Sequence, residues 1–392
     1  MILFLIACIA ELIYILKFRS VILKIVLLVS VVPQITLIAF TYGFAVPGVL
    51  MLHAGKFSHQ TIIVGNLLCC AVNVIMLRVL YPLRTNTYSY PTFVCTKTSY
   101  ILLLAILAIT ALLSYPRVSG LNFRIDLSTI FISVNVFLLL CRLERKSWLN
   151  ILHLLILLLV IAGGDRVDSI AAVVMLLLIV KDKNIAFETQ PTKQAIAAGG
   201  IALFIISLYG GAARGGNQLS ANIILHSIYA QQTVSDVVYV FLCSIQYFFT
   251  AGAAPEVLGN TIFGSIPSPF YGVLSNYNYT IFLKKNFLPN PGGGLFYSEG
   301  MLALGPVGVL AYAWCYAKII YYLFRKRHSR YAAVIFLTLI LMVCRTQWYG
   351  MLYCYKPVLI SCFFCYICKS LNRKTVSRRF CSLYVNEGSS YR

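Results

Sequence analysis

LNILHLLILLLVIAGGDRVDSIAAVVMLLLIV (Leu149–Val180) is two apolar runs divided by a short charged break. Helices that are apolar on every side belong in the core of a large protein or in a membrane. A crossing needs about 20 residues, with a range of about 17–25, and shorter runs cross where flanking residues snorkel. The pair therefore reads as two spans joined at one membrane face by Gly163-Gly164-Asp165-Arg166. The same pattern recurs outward in both directions. Spans are expected over residues 1–16, 24–44, 61–81, 99–115, 126–141, 149–162, 168–181, 195–213, 301–323, 331–349 and 350–369. That makes about eleven, within a range of about 10–12. The stretch 20–54 is long for one helix, and a split at Pro33 would change the count.

Composition agrees. Of 392 residues, 60% are hydrophobic and 11% charged, whereas a soluble domain has about 45–50% and about 25%. With 26 Tyr and 24 Phe, disorder is excluded as well. The expected class is an all-α polytopic membrane protein. The first residues, MILFLIACIAELIYIL, lack a basic stretch ahead of the apolar run and read as a retained span.

The formal charge of +21 would suggest nucleic acid in a soluble protein. Here it reads instead as cations held on the cytoplasmic side. RLERK (142–146), KDK (181–183), RKRHSR (325–330) and the tail from Lys369 to Arg379 fit one alternation, with the N-terminus outside and the C-terminus inside. Only Lys56, Arg117, Arg124, Arg166, Arg214, Lys284, Lys285 and Arg345 fall outside, with Lys356 inside a span. The 13 cysteines lie mostly in apolar segments and behave as small hydrophobes. Cys362, Cys365 and Cys368 occupy a span, where i, i+3 and i+6 share too broad a face for tetrahedral ligation. No metal and no cofactor is expected.

The chain divides into an N-terminal transmembrane bundle of about eight helices (1–213), a large external loop (214–300), C-terminal transmembrane helices (301–369) and a basic cytoplasmic tail (370–392). The loop is far longer than ordinary connections. Its aromatic run Val237–Thr250 (VVYVFLCSIQYFFT) reads as an interfacial or re-entrant helix. Long loops held at a membrane face often carry function.

A carboxylate base acting outside must be Asp126, Asp165, Asp168, Asp236, Glu256 or Glu299. Glu299 opens a helix after PNPGGGLFYS, where it suits a base or a grip on sugar hydroxyls, and His226 is the second base candidate. Gly292, Gly293 and Gly294 have the composition of a backbone nest for phosphate. Arg166 follows Asp165 at a helix N-terminus, which attracts anions; the same pair also reads as a helix cap with a snorkelling Arg. Arg214 sits among glycines, and Arg345 lies inside an apolar run without an acid one turn away. Tyr277, Tyr297 and Trp348 suit stacking on sugar rings or an interfacial aromatic belt. There is no Walker loop, HExxH or GxSxG.

Together, GGGLFYSEGMLALGPVGVLAY (292–312) and Gly164-Asp165-Arg166 resemble bacterial oligosaccharide repeat-unit polymerases, the Wzy-type O-antigen polymerases. Gly294, Glu299, Gly305 and Gly308 fill the pattern such chains carry into a late span. The arginine-to-glycine spacing that some members carry in external loops is absent after Arg166 and Arg214.

The resemblance implies a GT-C-like architecture in the bacterial inner membrane, with a periplasmic active site. It implies metal-independent transfer of a growing glycan from undecaprenyl pyrophosphate onto a lipid-linked repeat unit. A chain-length-determining membrane protein is an implied partner, membrane lipids surround the chain, and no nucleic acid is involved. Arg166, Arg214 and Arg345 would meet the pyrophosphate, and Glu299 or His226 the acceptor hydroxyl. The related O-antigen ligases share the architecture. A transporter of lipid-linked oligosaccharide would place more polar groups at mid-span than Glu11, Gln34 and Lys356.

Overall fold

The computed structural model describes residues 2–46, 48–86, 91, 93–94, 97–115, 127–142, 148–163, 166–181, 232–259, 279–289, 292–350 and 354–366. The expected span 195–213 and the residues Asp165, Arg214, His226 and Tyr277 lie outside them. Arg166 is described in backbone only.

The chain is helical. Its helices are α1 (Ile2–Leu16), α2 (Val21–Thr41), α3 (Val49–Leu52), α4 (His59–Leu80), α5 (Lys97–Ser114), α6 (Ser128–Leu140), α7 (Trp148–Gly163), α8 (Arg166–Lys181), α9 (Gln232–Ala251), α10 (Tyr279–Asn286), α11 (Ser298–Arg325), α12 (Arg330–Leu341), α13 (Val343–Tyr349) and α14 (355–366). The described strands are two residues each, Phe93–Val94 pairing in parallel with Cys141–Arg142. Among the described residues, five helices are long and apolar enough to cross a membrane, and the bent pair α12–α13 makes up to six. Further helices, including α1, α6 and α7, are apolar but shorter.

Two groups of helices meet along α12 and α13. One comprises α1, α2, α4, α9 and α11; the other comprises α5, α6, α7, α8 and α12. Side-chain hydrogen bonds sit inside each, as expected where lipid offers no partners. Asn73 of α4 donates to Glu11 of α1 and Gln34 of α2, while Ser30 donates to Asn73. In the second group His153 meets Asn135 at 3.0 Å and Tyr100 donates to Asn150 at 3.1 Å.

Pro33 stands inside α2 and Pro306 inside α11. Proline lacks the N–H that would bond the carbonyl four residues back. At Pro33 the orphan is Val29, whose carbonyl accepts instead from Trp348 Nε1 at 3.4 Å. At Pro306 it is Leu302, whose carbonyl accepts from the Ala254 N–H at 2.8 Å. With its lost bond replaced, α2 runs unbroken through Pro33, so the split considered there does not occur.

The helix α11 does break. Gly305, before Pro306, has φ 65° and ψ −151°, a conformation that fits glycine and that the following proline favours over helix. Gly300 and Gly308 then lie backbone against backbone. In a straight helix residues eight apart are about 12 Å apart, so the segment 298–304 folds back on 306–312.

The sequence predicts one straight span over 301–323 and another over 331–349. The first carries this reversal, and the second bends by 63° between α12 and α13.

The run expected as an interfacial or re-entrant helix is α9. Its residues from Thr233 to Ile245 are buried, with Asp236 partly so, against α2, α3, α4, α11 and α13. This stretch is thus enclosed by protein on all sides rather than exposing one face, and its contacts include α3 and the first turns of α4. The polar spacing in VSDVVYVFLCSIQ reflects contacts inside the bundle: Asp236 accepts from the Val49 N–H, and Gln246 accepts from Thr61.

The cations sort by end. The Arg19 N–H donates to the Arg84 carbonyl at 2.7 Å, and the last turns of α4 and α11 lie side by side. Lys17, Arg19, Lys24, Arg78, Arg84, Lys318 and Arg325–Arg327 therefore share one end of the bundle. Thr41, α3 and the start of α4 mark the other.

Candidate functional site

The site expected around Glu299 lies in the half of the bundle away from the basic end. Its position differs from the one the sequence suggests. Ser298 and Glu299 are expected at an outward-facing helix start, but the fold-back at Gly305 sinks them between helices. Tyr297 reaches Cys69 of α4, with oxygen and sulfur 3.3 Å apart. Cys69 is about 15 Å along α4 from His59, at about 1.5 Å per residue.

Glu299 is 8% exposed and Ser298 is fully covered. The carboxylate accepts a hydrogen bond from the Tyr312 hydroxyl. These residues are thirteen apart in sequence, and only the reversal brings them together. Ser298 Oγ is buried with no hydrogen-bond partner among the described residues. A buried carboxyl and a neighbouring unengaged hydroxyl at a helix start form a polar point in an apolar setting. Such groups are costly to bury and are retained where they meet a ligand or a reacting group.

The loop leading to Glu299 is fixed by close approaches. Gly292 and Gly293 both have φ 79°. The ring of Tyr349 lies against Gly293, and Tyr279 and Val240 lie against Gly294, so a side chain on either glycine would collide. The expectation of a three-glycine phosphate nest is narrowed accordingly. Gly293 and Gly294 serve packing, and Gly292 alone stays half-exposed, with Lys284 Nζ 3.8 Å from where its Cβ would stand.

α13 runs beside this loop. The Phe296 N–H donates to the Gln347 carbonyl at 3.0 Å, and Gln347 Nε2 donates to the Val26 carbonyl at 3.1 Å. Arg345, half-buried, is two residues from Gln347 on the same short helix. α13 also packs against α8, whose first residue is Arg166. The helix of Arg345 thus adjoins two other elements named from sequence, the glycine loop with Glu299 and the helix that Arg166 opens.

Two sugar-stacking candidates are corrected. Tyr297 is 3% exposed and packs edge-on against Phe241 and Phe296. Trp348 is also 3% exposed and spends its N–H on Val29. Both rings are interior and have no face open to a glycan.

Tyr312, Gln347 and Lys284 were not anticipated. For Tyr312 the only signal was the Gly305-Pro306 pair, which marks a break but not its angle. Gln347, a polar residue in the apolar run VCRTQWYG, carried a usable one.

No family model matches the chain, and neither the curated proteins nor the solved structures hold a match to it. The functional reading rests on the residues alone.

Proposed function

We propose that this chain is a multi-pass membrane glycosyltransferase of the O-antigen polymerase type. It would extend undecaprenyl-pyrophosphate-linked glycan at the periplasmic face of a bacterial inner membrane, with about eleven spans in a GT-C-like arrangement. The observation carrying this reading is the fold-back of α11. It sets a buried carboxylate, Glu299, against Tyr312 and beside the helix of Arg345, within the membrane half opposite the basic end.

A lipid pyrophosphate leaving group is held at the membrane face by its prenyl tail, so the groups that serve it must lie close to that face. In the proposed step an acceptor sugar hydroxyl oxygen attacks the anomeric carbon of the donor. The bond from that carbon to the pyrophosphate oxygen breaks, the hydroxyl proton passes to the Glu299 carboxylate, and polyprenyl pyrophosphate departs. The Tyr312 hydroxyl orients the carboxylate. Arg345, together with Arg166 and Arg214, would offset the charge developing on the pyrophosphate. Losing one such donor costs about a hundredfold in rate or more.

The test is glycan transfer by purified protein supplied with lipid-linked repeat units. Glu299→Gln and Arg345→Ala are each expected to lower turnover about a hundredfold or more, with the protein still folded. Wild-type activity in both variants would overturn the site assignment. Single-unit products from a deletion strain support a polymerase, whereas bare lipid A core with accumulated lipid-linked polymer supports a ligase.

One observation favours a transporter of lipid-linked glycan instead: the buried Glu11–Asn73–Gln34 network among α1, α2 and α4. Its members are engaged chiefly with one another, as in helix-to-helix glue, and the polymerase reading is preferred.

A further inference from the structure

At the basic end, away from Glu299, α4 and α11 run parallel and leave a groove between them. Its volume is about 510 Å³, and its walls are Ile75, Arg78, Val79 and Pro82 on one side and Trp314, Lys318 and Tyr321 on the other. The spacing places each set along one face of its helix. The wall is graded along the axis. Ile75 and Trp314 lie toward the membrane interior, Arg78 and Lys318 follow, and Pro82 and Tyr321 lie toward the helix ends. Among the described residues, none that lines it is acidic.

Lys318 Nζ lies 5.5 Å from the Trp314 ring centre and 5.8 Å from that of Tyr321. Ring faces attract a cation but leave its charge uncompensated. Other cations of this end sit the same way: Lys17 over Tyr14, Arg84 over Tyr81 and Lys326 over Tyr322. Lys318 comes seven residues before Arg325, about 10 Å along the axis, and Arg78 lies two residues from the end of α4. Both cations therefore stand just inside the helix ends, where long cationic side chains snorkel toward headgroups.

From this geometry we propose that the groove holds one anionic phospholipid of the cytoplasmic leaflet. Its phosphate lies between Arg78 and Lys318, and an acyl chain follows Ile75, Val79 and Trp314. Charge complementarity selects the occupant. Two cations on facing walls, with no acid among the described lining residues, call for an anion, and the apolar inner wall calls for a chain attached to it. Basic pockets between helices on the cytoplasmic side bind such headgroups. The bound lipid would clamp α4 to α11, which are also joined at the middle of α4 by the contact of Cys69 with Tyr297, the residue before α11. The proposal is independent of the glycosyltransferase reading.

The test uses the full chain in uncharged detergent, with phosphatidylglycerol or phosphatidylcholine added. Retained lipid is counted by mass spectrometry under native conditions, and thermal unfolding is followed in parallel. Wild type is expected to retain one phosphatidylglycerol and to melt higher with it, and to do neither with phosphatidylcholine. Arg78→Gln with Lys318→Gln should weaken binding roughly thirtyfold, as follows for two interfacial cations. Lys17→Gln with Lys326→Gln removes the same charge outside the groove and should bind as wild type. Arg78→Lys with Lys318→Arg keeps the charge and should retain the lipid, separating loss of the site from loss of the fold. Equal effects of phosphatidylcholine, reproduction of the shift by inorganic phosphate alone, or equal losses in the two charge-removing pairs would each overturn the proposal.

Discussion

At the scale of single residues, interior proline and interior tryptophan explain each other. Pro33 withholds a donor from Val29, and the only polar atom of the Trp348 ring supplies one. Trp348→Phe leaves the carbonyl bare, at a cost of about 1–3 kcal/mol beyond that of the space the smaller ring vacates. Pro33→Ala returns a backbone N–H to that same carbonyl. The double variant should therefore lose less than the sum of the two singles, which thermal unfolding in detergent would read as a coupling. Strict additivity would show that the tryptophan N–H does not serve this carbonyl. From sequence, Trp348 was a stacking candidate because a Trp near a span end suits a belt equally well. What it does depends on a helix more than three hundred residues earlier, and no local pattern carries that.

At the scale of elements, glycines decide where the polar residues of α11 go. The run SEGMLALGPVGVLAY singles out Gly305, Gly308 and Glu299, and all three lie at the reversal. It did not give the reversal, because a Gly-Pro pair is compatible with a mild kink or a sharp one. Which occurs depends on Phe248 filling the space beside Gly305 and on Ala254 satisfying Leu302. Gly308→Ala would force a methyl into the Gly300 backbone, an overpacking cost of about 1–3 kcal/mol. It should also separate Glu299 from Tyr312. The expected outcome is a lower melting temperature together with lost glycan transfer, while Gly55→Ala, with open space around it, should stay within about 0.5 kcal/mol of wild type. A Gly308→Ala protein as stable as wild type would mean that the two arms of the reversal are not in close contact.

At the scale of the whole molecule, the apolar runs were legible because lipid imposes length and composition on each helix separately. Most described helices start and stop within a few residues of the expected spans. What was not legible is how they group. α12 and α13 join two sets of helices because the chain bends at Met342, and α9 enters the interior although its sequence resembles an interfacial helix. The grouping bears on sidedness, since it gathers cations from α1, α2, α4 and α11 at one end that local runs could only suggest one at a time. Cations are retained on the cytoplasmic side, so this end should face the cytoplasm and the end with α3 should face outward. A reporter active only in the cytoplasm, inserted after His328, should be active, and the same reporter after Lys56 should be silent. Both sites lie in short segments between helices, so insertion tests sidedness with little disturbance of helix contacts. The opposite pattern would place Glu299 in the cytoplasmic half and remove the basis for periplasmic glycan transfer. Activity at both sites would mean that α4 does not cross, which would break the parallel pairing of α4 with α11 on which the basic groove depends.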